Sequence, residues 1–453
     1  MTDERPTDPA SEAPTPANSG ATSTPAGAGE PQATTTGIGD DVARKDPAGD
    51  RRPGRLRAWG TALLPTLLAF FSAMVVGAFV IVLSNERLLG LLVSDPLTGL
   101  GESLNTVLNA YAALFRGAFG DPVRLFEALL TLDPAALRGS LIPLSETILS
   151  TTPLILTGLA VALAFRAGLF NIGGEGQLQL GALAAVLVGF SLEGLPLLVH
   201  LPLALLAGAA AGAMWGFIPG ALKARTGAHE VITTIMLNFV AFRLVDLALR
   251  NPLYQRPGRM DPISQVVQDS AALPRLIDDV ALRAHWGIVV ALVAAVLVSW
   301  LLFRSTKGFE FRAVGLNPQA ARYAGMSIGG SIVLSMMIAG ALAGLAGASI
   351  VLAPAIRTLT PGLGGGAGFD GIAIALLGRA RPAGVVLAAF LIGALRAGST
   401  PMQAATGVPI YLVVVIQALV IMFIAAPALV RAIYRIRAER VVGGEAFAKG
   451  WGG

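Results

Sequence analysis

Between about residue 61 and residue 426 the chain is a succession of apolar stretches. Several reach the roughly 20 residues that a helix needs to cross a hydrocarbon core. Backbone in lipid must satisfy its own N–H and C=O groups, and within a single segment only a helix does so. The expectation is an all-α, polytopic membrane helix bundle. Ten crossings fit, at about 61–83, 142–165, 174–190, 196–218, 232–249, 286–303, 330–352, 368–379, 384–398 and 410–426. The eighth is too short to stand as a free span, which predicts a tilted, broken or re-entrant element and leaves nine or eleven crossings open.

Composition agrees. Only 13% of residues are charged and mean hydropathy is +0.69. Soluble domains carry about 25% charged residues, so this chain has too few charges to cover a water-facing surface. There is no cysteine, which excludes disulfides, thiolate metal sites and thiol nucleophiles. His200, His229 and His285 are far apart, so no metal centre is expected. No Gly-x-x-x-x-Gly-Lys-Ser/Thr string occurs, so any ATP chemistry belongs to another subunit, and no cofactor is expected here. The net charge of +5 reads as membrane topology rather than nucleic-acid binding.

Residues 1–58 form a Pro/Thr/Ser/Ala-rich segment with a basic juxtamembrane end (Arg51, Arg52, Arg55, Arg57), expected to be a disordered cytoplasmic tail. No apolar h-region precedes it, unlike a signal peptide. The transmembrane domain is placed at 59–430 and a short cytoplasmic tail at 431–453. With both termini inside, cytoplasmic segments from Arg51 onward hold 18 Lys/Arg and external segments ten, as the positive-inside rule prefers. The localisation expected is a bacterial plasma membrane, multi-pass.

Two external segments are not read as spans. The first, 84–140, contains an amphipathic piece with Leu104, Val107, Leu108, Tyr111, Leu114 and Phe115 at helical spacing. The second, 250–285, is interrupted by Pro252, Pro257, Pro262 and Pro274. Gly208, Gly212, Gly216 and Gly220 recur every four residues in the fourth span, and Gly340 and Gly344 repeat the spacing in the seventh. Such stripes let helices approach closely, and helix packing accounts for them.

Three polar strings stand out. At 165–181, Asn171, Glu175, Gln177 and Gln179 lie among Gly173, Gly174 and Gly176, between two apolar stretches. This is either a cytoplasmic turn or a broken-helix element lining a pathway or gate, since a carboxylate at such a break is costly without a partner. At 223–238, Lys223, Arg225 and Glu230 mark a turn, and Asn238 faces either a solute or a neighbouring helix. Further along, Arg243 and Asp246 are read as a local ion pair. The third string is Gly308 to Gly325, which includes Arg312 and Gly315. Asn317 suits an N-cap, Pro318 the first helical position and Gly325 the residue just past the end. Together they predict a two-turn helix on the cytoplasmic side, either a helix whose alanine face, with Ala320 and Ala321, docks into a partner or a connector lying on the lipid surface.

On these strings the chain resembles the permease subunits of bacterial ATP-binding-cassette (ABC) importers for branched-chain amino acids, ribose-type sugars and nucleosides. It is most similar to the nucleoside/simple-sugar branch, which carries Asn-Ile-Gly-x-Glu-Gly-Gln, here Asn171 to Gln177. Glu230 to Asn238 and Gly371 to Gly378 also resemble that branch. The resemblance implies a transport subunit with no enzymatic activity of its own, with Gly308–Gly325 as the helix coupled to the ATPase. It also implies three partners besides membrane lipid: an ABC ATPase subunit, a second permease chain and an extracellular solute-binding lipoprotein. On the importer reading Asn171, Glu175, Gln177, Asn238 and Asp370 are the pathway or gate residues. A secondary active transporter of small polar solutes is the competing reading, though intramembrane carboxylates are few and no repeat relates the halves. An intramembrane enzyme would need a nucleophile–base pair, a metal cluster or a carboxylate dyad, and the sequence offers none.

Overall fold

The structure, a computed structural model, describes residues 55–435. Residues 1–54 of the predicted amino-terminal tail, and the predicted carboxyl-terminal tail beyond 435, lie outside the described residues. The described chain is helical, with two isolated β-bridges and no strand.

The chain opens with α1 (Arg55–Leu83), α2 (Glu86–Ser94), α3 (Pro96–Phe119) and α4 (Pro122–Thr131). The middle of the chain forms α5 (Pro134–Arg166), α6 (Gly174–Ser191), α7 (Leu197–Thr226), α8 (Glu230–Leu249) and α9 (Gly287–Arg304). Two short helices, α10 (Thr306–Leu316) and α11 (Pro318–Tyr323), then lead into α12 (Ile328–Val351). The last four are α13 (Ala367–Leu377), α14 (Pro382–Thr406), α15 (Ile410–Ala425) and α16 (Pro427–Ile433).

Each of the ten predicted spans falls on a helix. Six of these, α5, α7, α8, α9, α12 and α14, are long and apolar enough to cross a membrane. By contrast α13 has 11 residues and α15 has 16, about 16 and 24 Å at 1.5 Å per residue, short of a ~30 Å hydrocarbon core. The external segment holds more helix than the single amphipathic piece predicted. Asp95, Asp121 and Asp133 cap α3, α4 and α5, each with proline at the first helical position. The predicted stripe lies in α3, with Val107 and Leu114 buried but Leu104 and Leu108 exposed.

The core is built around α5, whose residues Leu154 to Ala164 are all buried and make it apolar on every side. The tightest seam joins α7 to α12. Gly208 faces Gly344, Gly212 faces Gly340 and Gly216 faces Met336, the antiparallel register expected of two spans running in opposite directions. A Cβ at Gly212 would lie 2.2 Å from the Gly340 carbonyl oxygen, and one at Gly344 the same distance from that of Gly208. Only backbone-to-backbone contact fits, and this gains dispersion energy that lipid cannot match.

The proline-rich segment 250–286 folds as a cap over one end of the bundle. The Ser264 amide donates to the Leu359 carbonyl (3.0 Å), the Leu359 amide to Ser264 Oγ (2.8 Å), and the Gln268 amide to the Gly189 carbonyl (2.9 Å). Arg138 and Arg283 tie it to α5 and the bundle through Asp279 (2.9 Å) and Glu146 (3.1 Å). In α8, Asp246 pairs with Arg250 one turn on (3.2 Å), not with Arg243 as read from sequence. The i,i+4 spacing brings those two side chains over one another near the helix end.

Candidate functional site

The polar string after α5 is a re-entrant segment, not a solvent-facing turn. Arg166 Nε donates to the Ala380 carbonyl (2.9 Å), so the end of α5 is level with the turn after α13. The two helices run parallel, with Gly371 against the Thr157 backbone and Gly158 against Ile374. Glu175, at the start of α6, meets the first turn of α13: its Oε2 accepts the Gly368 amide at 2.8 Å. Ten residues of rise separate Gly368 from Gly378, about 15 Å. Residues 167–173 therefore climb back into the bundle before α6 begins. Ala167, Leu169 and Asn171 along that climb are buried.

Irregular backbone at that depth needs internal partners, and the predicted residues provide them. Asn171 Oδ1 accepts the Gly173 amide (3.0 Å) while its Nδ2 donates to Gln177 Oε1 (3.0 Å). Asn238, from α8, uses both ends of its amide: Oδ1 accepts the Gly176 amide (2.8 Å) and Nδ2 donates to the Ile172 carbonyl (2.9 Å). Gln179 Nε2 reaches Glu175 Oε1 at 3.4 Å. Below this knot, Glu230 accepts Lys223 Nζ (2.5 Å) and the Phe170 amide (3.5 Å), joining the α7–α8 turn to the same segment. The structure thus brings Asn171, Glu175, Gln177 and Asn238 together, each no more than 2% exposed. Asp370 is separate: it lies on the other side of α13's first turn, paired with Arg396 and accepting Gln417 Nε2 (3.3 Å).

The predicted docking helix is present as α11, with both caps as read. Asn317 Oδ1 accepts the Ala320 amide (3.0 Å). At the other end the Met326 amide donates to Ala321 and the Gly325 amide to Arg322, with Gly325 at φ +78°, a Schellman stop that glycine enters without strain. The face differs from expectation. Ala321 is buried, while Ala320 is exposed together with Leu316 (74%), Tyr323 (91%) and the polar Asn317, Gln319 and Arg322. Residues 306–316, where no helix is expected from the sequence, form α10, capped by Ser305 through the Gly308 amide (3.0 Å).

Gly308 marks the tight turn against Leu301 at the end of α9, and Gly315 presses on the re-entrant segment. A Cβ at Gly315 would lie 2.6 Å from the Arg166 carbonyl oxygen and 2.7 Å from the Gly168 nitrogen. Gly168 itself has φ +72°, so this crossing needs glycine on both sides. Arg166 and Arg312 both sit over the Phe303 ring, at 5.7 and 5.5 Å, which ties the ends of α5, α9 and α10 together. Rigid backbone contact therefore runs from α11 through α10 to residues 166–168, and along the re-entrant segment to Glu175 and the start of α13.

The family model described as the branched-chain amino acid transport system / permease component matches residues 144–425. The chain belongs to that permease family. It is 45% identical to the guanosine ABC transporter permease protein NupP of Bacillus subtilis (strain 168), over 72% of this chain and 88% of that protein. It is 35% identical to the nucleoside ABC transporter permease protein NupB of Lactococcus lactis subsp. cremoris (strain MG1363), over 69% of this chain and 86% of that one. Against the glucose ABC transporter permease protein TsgB13 of Haloferax volcanii it is 41% identical, over 62% of this chain and 75% of that relative. No solved structure matches.

The protein is thus an integral membrane permease subunit of an ABC importer and a transport component rather than an enzyme, similar to the nucleoside branch. Its ATPase activity lies in a separate subunit. Sequence reasoning missed three participants: the Gly315–Gly168 crossing, and the partners Arg396 and Gln417 of Asp370. A lone charge inside each of two apolar spans was the available signal for the Asp370–Arg396 pair.

Proposed function

We propose that this permease carries nucleosides or closely related sugars inward, driven by a separate ABC ATPase that docks on α11. The observation that carries the reading is the unbroken backbone contact from α11 through the Gly315–Gly168 crossing to the buried Glu175 knot. A capped helix that ends on an exposed tyrosine and is preceded by an exposed leucine, Leu316 at the end of α10, has little reason to stand free in water. A groove of about 650 Å³ beside it, edged by Arg304, Arg312, Met326 and the Lys307–Glu310 ion pair, offers room and a net positive charge from the two arginines for a partner. Closure of the ATPase pair would push α11, and α10 would lever the re-entrant segment against α6 and α13. Glu175 and Asn238 act as the gate's hinge pins in this account, since their hydrogen bonds are spent on backbone.

Ten crossings with both termini cytoplasmic complete the arrangement, with α13 and the re-entrant segment each traversing part of the bilayer. The cap at 250–286 then lies outside, where a solute-binding lipoprotein would deliver cargo. A second permease chain would close the other side of the route. The names of the guanosine and nucleoside relatives support the choice of cargo.

The test is uptake of labelled guanosine into proteoliposomes holding this chain with its ATPase, second permease and binding protein. ATP-dependent uptake that a protonophore leaves intact is expected. Uptake that follows a proton gradient without ATP would overturn the reading.

A further inference from the structure

Three polar side chains meet in the middle of an otherwise apolar corner of the bundle. Asp370 is the sole charged residue of α13, Arg396 the sole charged residue of α14, and Gln417 stands in an apolar α15. Arg396 is the fifteenth of 25 residues in α14, about 21 Å from one end and 15 Å from the other. Gln417 is the eighth of 16 in α15. The pair is joined directly, Gln417 donates to Asp370 (3.3 Å), and Arg396 Nη2 also reaches the Gly365 carbonyl (3.4 Å).

The pair is nevertheless open on one side: the side chains of Arg396 and Asp370 keep 32% and 24% of their surface accessible. With Arg396 midway along α14 and Asp370 in the first turn of α13, a charged pair open to hydrocarbon would carry a heavy desolvation cost. The open edge must instead face water or protein. The sequence of α14 says which way the water lies. Arg396, Thr400 and Gln403 stand at i, i+4 and i+7, on one helix face, and Thr400 and Gln403 are exposed. Leu387, nine residues before Arg396 and so about half a turn round the helix, is exposed and apolar, as a lipid face requires. Gly362, Gly365 and Gly366, in the loop leading to Asp370, take positive φ and have open space where a side chain would be.

We infer that the Arg396–Thr400–Gln403 face of α14 lines a water-filled route from the outer surface, ending at Asp370, Arg396 and Gln417, which hold the vicinal hydroxyls of a neutral pentose in passage. The pair offers a carboxylate acceptor beside guanidinium and amide donors and no net charge, which matches a diol and leaves nothing to neutralise an anionic phosphate. The inference rests on the importer reading and the topology proposed with it.

The chain has no cysteine, so single cysteines report on their surroundings without background. Thr400→Cys, Gln403→Cys and Leu387→Cys would be treated, in intact cells, with a membrane-impermeant maleimide, which needs a water-exposed thiolate. Labelling of the first two, at least tenfold faster than of Leu387→Cys, is expected. In the second arm Asp370→Asn is expected to slow ATP-driven uptake of guanosine about tenfold and to leave 2′,3′-dideoxyguanosine uptake at its wild-type rate. Failure to label positions 400 and 403, or equal losses for both solutes, overturns the inference. Absence of any ATP-driven nucleoside uptake by the wild type would instead remove the cargo reading, while labelling still decides the route.

Discussion

Gly315→Ala adds a single methyl group at the point where α10 rests on the re-entrant segment. That carbon would sit 2.6 Å from the Arg166 carbonyl oxygen, 2.7 Å from the Gly168 nitrogen and 2.8 Å from the Ala167 carbonyl carbon. All three are backbone atoms and cannot rotate away. Ordinary contact begins near 3.4 Å, so α10 must back off by about 0.8 Å or carry the strain. Overpacking of this kind costs about 1–3 kcal/mol, equivalent to a shift of roughly 5- to 150-fold in the equilibrium between seated and lifted α10. The expected result is a fall of that order in solute transported per ATP hydrolysed, in proteoliposomes holding the whole transporter, with protein level and ATPase rate retained. Gly90→Ala, in α2 with open space around it, is the matched control and should transport normally. If Gly315→Ala couples transport to hydrolysis as well as Gly90→Ala does, the α10 contact carries no motion and the reasoning is refuted.

Other consequences are open to direct measurement. Asn238→Ala strands the Gly176 amide and the Ile172 carbonyl in the interior, at about 1–3 kcal/mol each, so thermal unfolding in detergent should drop by several degrees; Asn238→Asp keeps the acceptor but buries a carboxylate oxygen against the Ile172 carbonyl, and should lose at least as much. Gly212→Val drives a side chain into the Gly340 carbonyl, whose oxygen is 2.2 Å from the first added carbon, and should abolish the folded, monodisperse protein on size-exclusion chromatography. His285, in the cap, accepts the Gly287 amide at Nδ1 (3.0 Å), and burial holds its pKa down at about 4, below the ordinary 6.5. The folded state therefore binds fewer protons than the unfolded one in that window. Stability is full above pH 6.5 and falls as the pH drops toward 4, by up to roughly 3 kcal/mol. His285→Asn, which keeps an acceptor without titrating, should flatten the acid limb of a melting curve.

Much of this architecture was legible because hydropathy and capping are local. Every predicted span landed on a helix, and the caps of α11 at Asn317 and Gly325 follow from residue types that favour those dihedrals. The glycine stripes named both halves of the α7–α12 seam, since a four-residue repeat stays on one helix face. Three Asp-Pro steps at 95, 121 and 133 carry the same kind of capping signal for α3, α4 and α5, a signal independent of the single amphipathic stripe in α3. Where the sequence fell short, the deciding contact spans a long stretch of chain. Asn171 to Gln177 reads equally as a turn or a buried break until Arg166 is seen bonded to Ala380 and Glu175 to Gly368. Nothing within α10 announces that Gly315 needs Gly168 as its neighbour. The inward turn of Ala321 likewise depends on how α11 leans on the bundle, which composition does not record.

The central claim is that α11 is the point at which a separate ATPase takes hold. Tyr323→Cys in this cysteine-free chain places one reactive thiol at a position of that helix that is 91% exposed. Treating membranes that contain the ATPase with a short thiol-reactive crosslinker should join the two proteins, in a yield that changes when ATP is added. No adduct with the ATPase, or modification of that thiol by an impermeant reagent from outside intact cells, would contradict the account.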